Sequence, residues 1–217
     1  DAVVLVKEST PGDNDKKLVA YVVPDSRHWR VGRPGETGTP DLSAEQITDW
    51  QDVFDDAYTK TNPGDTIQVD TTFNIAGWNS SYTGEPIPAE EMRIWVDRTV
   101  QRILSYRPGN VMEIGCGTGL FLFRIIPHCR RYLGTEIAQK GLNYIESHLE
   151  KIKQPGWADV RTQRRSADNF DGIEPGELDM VILNSVIQYF PTVEYLEEVL
   201  ELYEKLPLLG WLLRRLR

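Results

Sequence analysis

The sequence predicts an α/β fold with a doubly wound sheet, and three observations carry that prediction. β-rich runs alternate with helical patterns through the second half of the 217-residue chain in the order βαβαβ, with one further strand after it. Val111 to Phe121 reads VMEIGCGTGLF, a strand passing into a glycine-rich turn and then a helix. A second predicted strand ends in an acid, Glu136, about twenty residues downstream, where nucleotide-binding sheets of this kind carry one.

Taken in order, Ala2 to Glu8 and Leu18 to Val23 are short β-rich runs around TPGDNDKK, which is turn chemistry, so the chain opens with a two-stranded ribbon. Ser26 to Pro40 has Gly, Pro, Thr and Arg without periodicity and reads as a linker. Ser43-Ala-Glu-Gln46 is a capping box, followed by Ile47, Trp50, Phe54 and Ala57 at helical spacing, so a helix is expected from about Ala44. Thr61 to Ile87 is a long polar and aromatic stretch, FNIAGWNSSYTGEPIP among it, and loops of that length are more often functional than idle. Pro88 suits a helix N1 position, and Met92, Trp95, Val96, Thr99, Val100 and Ile103 form an apolar stripe that Pro108-Gly109 stops. The remaining predicted elements are a strand at Val111–Ile114, a helix from Thr118, a strand near Arg131–Glu136, a helix over Ala138–Ile152, strands near Val160–Gln163 and Leu178–Leu183, and a helix over Val193–Leu206. The expected divisions are therefore 1–26 ribbon, 27–43 linker, 44–108 helical segment, 109–206 nucleotide-binding core and 207–217 tail.

Composition narrows the function. A hydrophobic share of 40% and a charged share of 26% are those of an ordinary globular protein. A net charge of −9 gives no basic field for a phosphate backbone, so nucleic acid is not expected as a partner. The two cysteines, Cys116 and Cys129, stand too far apart for a metal-ligand pair and are too few for a disulfide framework. Neither a signal peptide nor a run of about eighteen apolar residues is apparent, and the reading is of a cytoplasmic protein. Of the three histidines, His28 falls in the linker, His128 at a helix end and His148 on a charged helix, where surface or capping roles are expected.

The glycine loop distinguishes among nucleotides. Gly115, Gly117 and Gly119 are spaced G-x-G-x-G rather than G-x-G-x-x-G, and Glu113 lies two residues upstream inside the strand. That carboxylate would repel a pyrophosphate and attract a ligand bearing an ammonium and a sulfonium, which describes S-adenosylmethionine. Glu136 is expected to accept hydrogen bonds from both ribose hydroxyls, which supports an adenosine ligand without discriminating between cofactors. Asp168, Asn169 and Phe170, after the third strand of the core, offer an acceptor for an adenine amino group and a ring to cover the base; as bland alternatives Asp168 is a turn former, Phe170 plain core and Glu113 a solvated edge acid.

VMEIGCGTG, GTEIA, SADNF, ILNSVIQYFP, WQDVFDDAY and FNIAGWNSSYTGEPIPAEEM together resemble the N-methyltransferase domains inserted into adenylation domains of nonribosomal peptide synthetases, over about Trp50 to Leu200. DAVVLVKESTPGDNDKKLVAYVVP resembles the small C-terminal subdomain of such an adenylation domain. The resemblance implies a Rossmann-like class I methyltransferase core with an N-terminal helical lid, and S-adenosylmethionine held by Glu113, Gly115, Cys116, Gly117, Gly119, Glu136, Ile137, Asp168, Asn169 and Phe170. It also implies that Trp78, Asn79, Ser80 and Tyr82 belong to the lid and substrate pocket, and that Asn184, Ser185, Gln188 and Tyr189 lie beside the methyl group.

The implied reaction is N-methylation of an aminoacyl group tethered to a carrier protein within a synthetase module. O- or C-methylation of a related substrate, and a non-catalytic cofactor-binding fragment, stay open. Such domains normally continue with a glycine turn and three further strands after the helix at Val193, whereas here ELYEKLPLLGWLLRRLR follows. The resemblance therefore leads to the expectation of a truncated core without amino-acid activation, ending in a basic amphipathic helix that caps a sheet edge or, as the alternative, meets a membrane surface or partner.

Overall fold

The computed structural model describes residues 2–8, 16–22, 42–59, 70–80 and 82–205. His28, the predicted linker up to residue 41, residues 60–69 of the long loop and the predicted basic tail lie outside the described residues. The chain divides into two compact units, Asp1–Asp41 and Leu42–Arg217. In the first, β1 (Ala2–Glu8) and β2 (Lys16–Val22) pair antiparallel, with Ala2 opposite Val22 and Glu8 opposite Lys16.

The second unit begins with α1 (Leu42–Thr59), two residues earlier than the capping box predicts, so Ser43 falls inside the helix rather than ahead of it. α2 (Ala89–Ser105) starts one position after Pro88, which serves as N-cap residue, and it buries Met92, Val96 and Val100. β3 (Asn110–Ile114) then enters the glycine loop. The helix expected from Thr118 is short: α3 (Leu122–Ile125) lasts four residues before a 3-10 turn at Ile126–His128. The turn carries Pro127, whose missing N–H cannot continue an α-helical ladder. β4 (Arg131–Glu136), α4 (Gln139–Ile152), β5 (Asp159–Arg164), β6 (Met180–Leu183) and α5 (Val193–Lys205) complete the order. β6 is shorter at its start than predicted, because Leu178 and Asp179 are still turning; the Asp179 carboxylate accepts the Gly109 and Asn110 N–H groups at 3.0 Å and so joins the starts of β3 and β6.

All four core strands run parallel in the order β5-β4-β3-β6. β3 is buried on both faces, as expected of a central parallel strand. Val111 and Tyr132 point into a core built with Val96, Leu122, Ile125, Leu142 and Ile145, while Met112 and Ile114 point the other way onto Tyr195 and Val199 of α5. Each such fully buried aliphatic side chain stabilises the fold by about 1.5–3 kcal/mol relative to exposure. The sheet reverses its winding at β3, with β4 on one side and β6 on the other, and in doubly wound sheets ligands bind outside the carboxyl ends of the strands at that point.

Candidate functional site

A cavity of about 640 Å³ opens at that reversal, in the size range of small-molecule sites. Segments following all four core strands line it: Gly115 to Thr118 after β3, Glu136 and Ile137 at the end of β4, Arg165 to Ala167 after β5, and Asn184 to Ser185 with Gln188 and Tyr189 after β6. Trp50, Phe54 and Tyr58 of α1 add an aromatic wall, and Trp78 and Asn79 come from the loop before α2.

The glycine loop folds as it does because its three glycines sit at positive φ, 71° at Gly115, 54° at Gly117 and 86° at Gly119, a region that side chains disfavour. Their surroundings differ. A Cβ on Gly117 would stand 3.1 Å from the Tyr58 hydroxyl of α1, whereas one on Gly119 would press into the Phe123 ring at 2.9 Å and Ile145 at 3.1 Å. Gly119 therefore serves the packing of α3 and α4 and does not line the cavity.

Several contacts fix the walls. Asp55 accepts the Lys140 N–H at 2.9 Å and Gln51 accepts from Arg164 at 2.9 Å, which ties α1 to the first turn of α4 and the end of β5. The Thr118 hydroxyl donates to the Asn74 carbonyl at 2.9 Å, and Trp78 packs on Trp95 with 4.8 Å between ring centres, so the loop before α2 is held to the glycine turn. Tyr189 meets Trp50 at 4.7 Å and Phe54 at 5.1 Å, both edge-on, joining the end of β6 to α1. Ser185 is held at φ 55°, uncommon for a residue with a side chain, and its carbonyl accepts from Gln188 at 2.9 Å.

Two carboxylates are buried in this wall. Glu136, 4% exposed, accepts the Gly117 N–H on one oxygen at 2.9 Å and the Ile137 and Ala138 N–H groups on the other at 2.8 and 3.0 Å. A carboxylate has roughly four acceptor sites, so capacity for about one further hydrogen bond remains. Burial pushes its pKa above the usual carboxylate range against the pull of these three bonds. Glu113, 3% exposed, accepts the Tyr132 O–H at 2.6 Å, and its pKa is pushed up to about 8, chiefly by burial, with the Tyr132 bond lowering it and Glu136 raising it. Burial likewise raises the Cys116 thiol and keeps Tyr58 a neutral phenol, the nearby Glu136 adding to the latter effect.

Of the residues expected from sequence, the structure gathers Trp78, Asn79, Glu113, Gly115, Cys116, Gly117, Glu136, Ile137, Asn184, Ser185, Gln188 and Tyr189 around one cavity. It leaves others out of the wall. Tyr82 is 93% exposed, in a turn where the Ser80 hydroxyl accepts the Tyr82 and Thr83 N–H groups, so neither Ser80 nor Tyr82 reaches the cavity. Asp168 accepts from the Tyr195 hydroxyl at 2.9 Å, Asn169 folds a turn onto the Asp171 N–H, and Phe170 packs into the core beside α5. None of the three is in the cavity wall, and it is Tyr195, the partner of Asp168, that lines the cavity nearby. Trp50, Phe54, Tyr58 and Tyr195 were missing from the sequence expectation as site residues. The signal for the first three is their four-residue spacing, which stacks aromatic rings along one face of α1.

The methyltransferase-domain family matches residues 112–206, the span that holds the glycine loop, both buried carboxylates and the segment after β6. The chain carries a methyltransferase domain. Sequences similar to it occur inside much larger proteins. The chondramide synthase of Chondromyces crocatus is 42% identical over 93% of this chain and 5% of its own length, and the PF 1022-synthetase of Rosellinia is 31% identical over 95% and 6%. The beauvericin nonribosomal cyclodepsipeptide synthetase of Beauveria bassiana is 35% identical over 72% and 5%. The chain thus spans about a twentieth of the length of these relatives. Among solved structures, the phosphoethanolamine N-methyltransferase of Haemonchus contortus aligns with a TM-score of 0.53 at 18% identity, covering 79% of this chain and 31% of its own. The magnesium protoporphyrin IX methyltransferase of Synechocystis, solved with bound S-adenosylmethionine, aligns at 0.50 and 18%, covering 79% and 74%. At these identities the likeness is one of fold, an α/β architecture around a parallel four-stranded sheet. No helix among its described residues is long and apolar enough to cross a membrane.

Proposed function

We propose that this methyltransferase domain moves a methyl group from S-adenosylmethionine to the α-amine of an aminoacyl group borne by a carrier protein, as part of a nonribosomal peptide synthetase. The observation that carries the reading is the pairing of two buried carboxylates, Glu113 and Glu136, beneath a glycine loop with a cluster of amides and aromatic rings after β6, in one cavity. The similarity to short stretches of peptide synthetases supports the context. When bound, S-adenosylmethionine supplies a methyl carbon made electrophilic by its sulfonium.

The protein's own groups have separable tasks. Once ionised, buried acids favour a cationic ligand, because desolvation strengthens their attraction to it. Glu136 has acceptor capacity for a ribose hydroxyl, and Trp50, Phe54, Tyr58 and Tyr189 exclude water with ring surface. Asn184 and Gln188 can orient an amine by hydrogen bonds. An α-amine has a pKa of roughly 7.7–8.0, so a useful fraction is neutral without a strong base, and the segment from Asn184 to Tyr189 supplies none. That chemistry favours nitrogen over a hydroxyl as acceptor, since a hydroxyl would need its proton removed. Labelled methyl from S-adenosylmethionine should appear on the amine of an aminoacyl carrier protein; label on oxygen or carbon, or none at all, rejects this acceptor.

A further inference from the structure

The Glu113 and Tyr132 side chains form a contact that the proposed transfer does not use directly. Both lie on one face of the sheet, on adjacent strands: the register sets Val111 opposite Tyr132 and Glu113 opposite Gly134. Gly134 has no side chain, so the Tyr132 hydroxyl reaches diagonally to Glu113 Oε2 at 2.6 Å, a short O–H···O bond. Tyr132 is 1% exposed. Glu113 nevertheless contributes to the cavity wall, so it is sealed from behind and reachable from the ligand side.

We infer that Tyr132 is a positioning residue that holds Glu113 for an arriving cation, and that cofactor binding discharges a proton from Glu113. The inference rests on the cavity being the S-adenosylmethionine site. The ionisable groups facing Glu113 are Tyr132 on β4, Glu136 at the end of β4 and Cys116 in the glycine loop; its register partner on β6 is Ile182, which carries no charge. Burial and Glu136 hold Glu113 in its acid form, with a pKa near 8, and only the Tyr132 bond opposes them. A cation in the cavity adds a second opposing influence. The carboxyl O–H then breaks, its proton passes to solvent, the carboxylate keeps the electron pair and faces the cation, and the Tyr132 O–H stays intact as donor.

Calorimetric titration of the whole chain with S-adenosylmethionine, repeated in buffers of different ionisation enthalpy, counts that proton. At about pH 7 the wild-type protein should release close to one proton per ligand more than Glu113→Gln, the excess fading above about pH 9. Glu113→Gln supplies the baseline, including titration of the ligand's own amine. Tyr132→Phe should bind about tenfold more weakly near neutrality, the scale of one hydrogen bond to a charged group, and the pH at which affinity levels off should rise by about one unit. Wild type and Glu113→Gln releasing equal numbers of protons overturns the inference while leaving the cofactor reading intact. A Tyr132→Phe profile identical to wild type overturns it too, since a merely structural tyrosine would leave the pH dependence in place. Should Tyr132→Phe fail to fold, the proton difference between the other two proteins decides alone. Absence of binding at every pH rejects the cofactor reading and this inference with it.

Discussion

Glu113 illustrates how burial turns one carboxyl into a pH-dependent part of the fold. Its folded pKa, about 8, exceeds the ordinary value of 4.5, so between those limits the folded state binds more protons than the unfolded one. Stability from this group is therefore fully present below about pH 4.5 and is lost as pH rises through about 8. Thermal unfolding followed across that range should show a melting temperature that declines with pH, with a shallower decline in Glu113→Gln; parallel curves for the two proteins would show that Glu113 does not carry the dependence. Part of the slope should survive, because Glu136 is shifted in the same direction. Glu136 itself holds three backbone N–H groups, so Glu136→Ala should weaken cofactor binding by roughly ten- to a hundredfold and also cost stability, about 1–3 kcal/mol for the buried Ala138 donor and less for the part-buried Gly117 and Ile137 donors. Denaturant unfolding beside a binding titration separates the two losses, and unchanged binding in a folded Glu136→Ala protein would remove the residue from the site. Neither the Glu113–Tyr132 bond nor the backbone bonds of Glu136 were legible in the sequence. Tyr132 and Glu113 are 19 positions apart and meet only through the register of two parallel strands.

At the scale of elements, the sequence made the glycine loop and the core strands readable, because strand periodicity and glycine spacing are local signals. It overestimated α3, where Pro127 closes the helix into a 3-10 turn, and it read Trp50 and Phe54 only as the periodicity of a helix, without assigning them to the site. The stripe is a wall of the cavity, a role that depends on Asp55 and Gln51 anchoring α1 to the start of α4 and the end of β5. Asp168, Asn169 and Phe170 stand outside the cavity wall, engaged by the Tyr195 hydroxyl, a turn onto the Asp171 N–H and a core contact respectively. The packing of α1 on the glycine loop can be measured. Gly117→Ala should destabilise the protein, both through its φ of 54° and through a Cβ placed 3.1 Å from the Tyr58 hydroxyl. In a Tyr58→Phe background the second contribution disappears, so the same substitution should cost less, with a coupling of about 0.5 kcal/mol or more in a double-mutant cycle. Strict additivity would mean that α1 does not bear on the loop.

For the whole molecule, every described residue of the cavity lies in the unit from Leu42 onward, and the antiparallel ribbon belongs to the other unit. A protein lacking residues 1–41 should therefore bind S-adenosylmethionine as the full chain does; an affinity lowered more than about tenfold would show that the first unit contributes to the site. The resemblance of that ribbon to an adenylation subdomain, and the match to about a twentieth of each large synthetase, make a carrier-borne substrate the natural acceptor to offer. Tethering raises the local concentration of an acceptor, commonly to millimolar for short flexible linkers, and a thioester removes the carboxylate that would hold the amine protonated. The most direct measurement compares transfer of labelled methyl from S-adenosylmethionine to an aminoacyl carrier protein and to the matching free amino acid, at equal concentration and about pH 8. Label should appear on the amine of the carrier-bound group at a rate well above that for the free amino acid, and equal or faster methylation of the free amino acid would overturn the carrier-dependent reading.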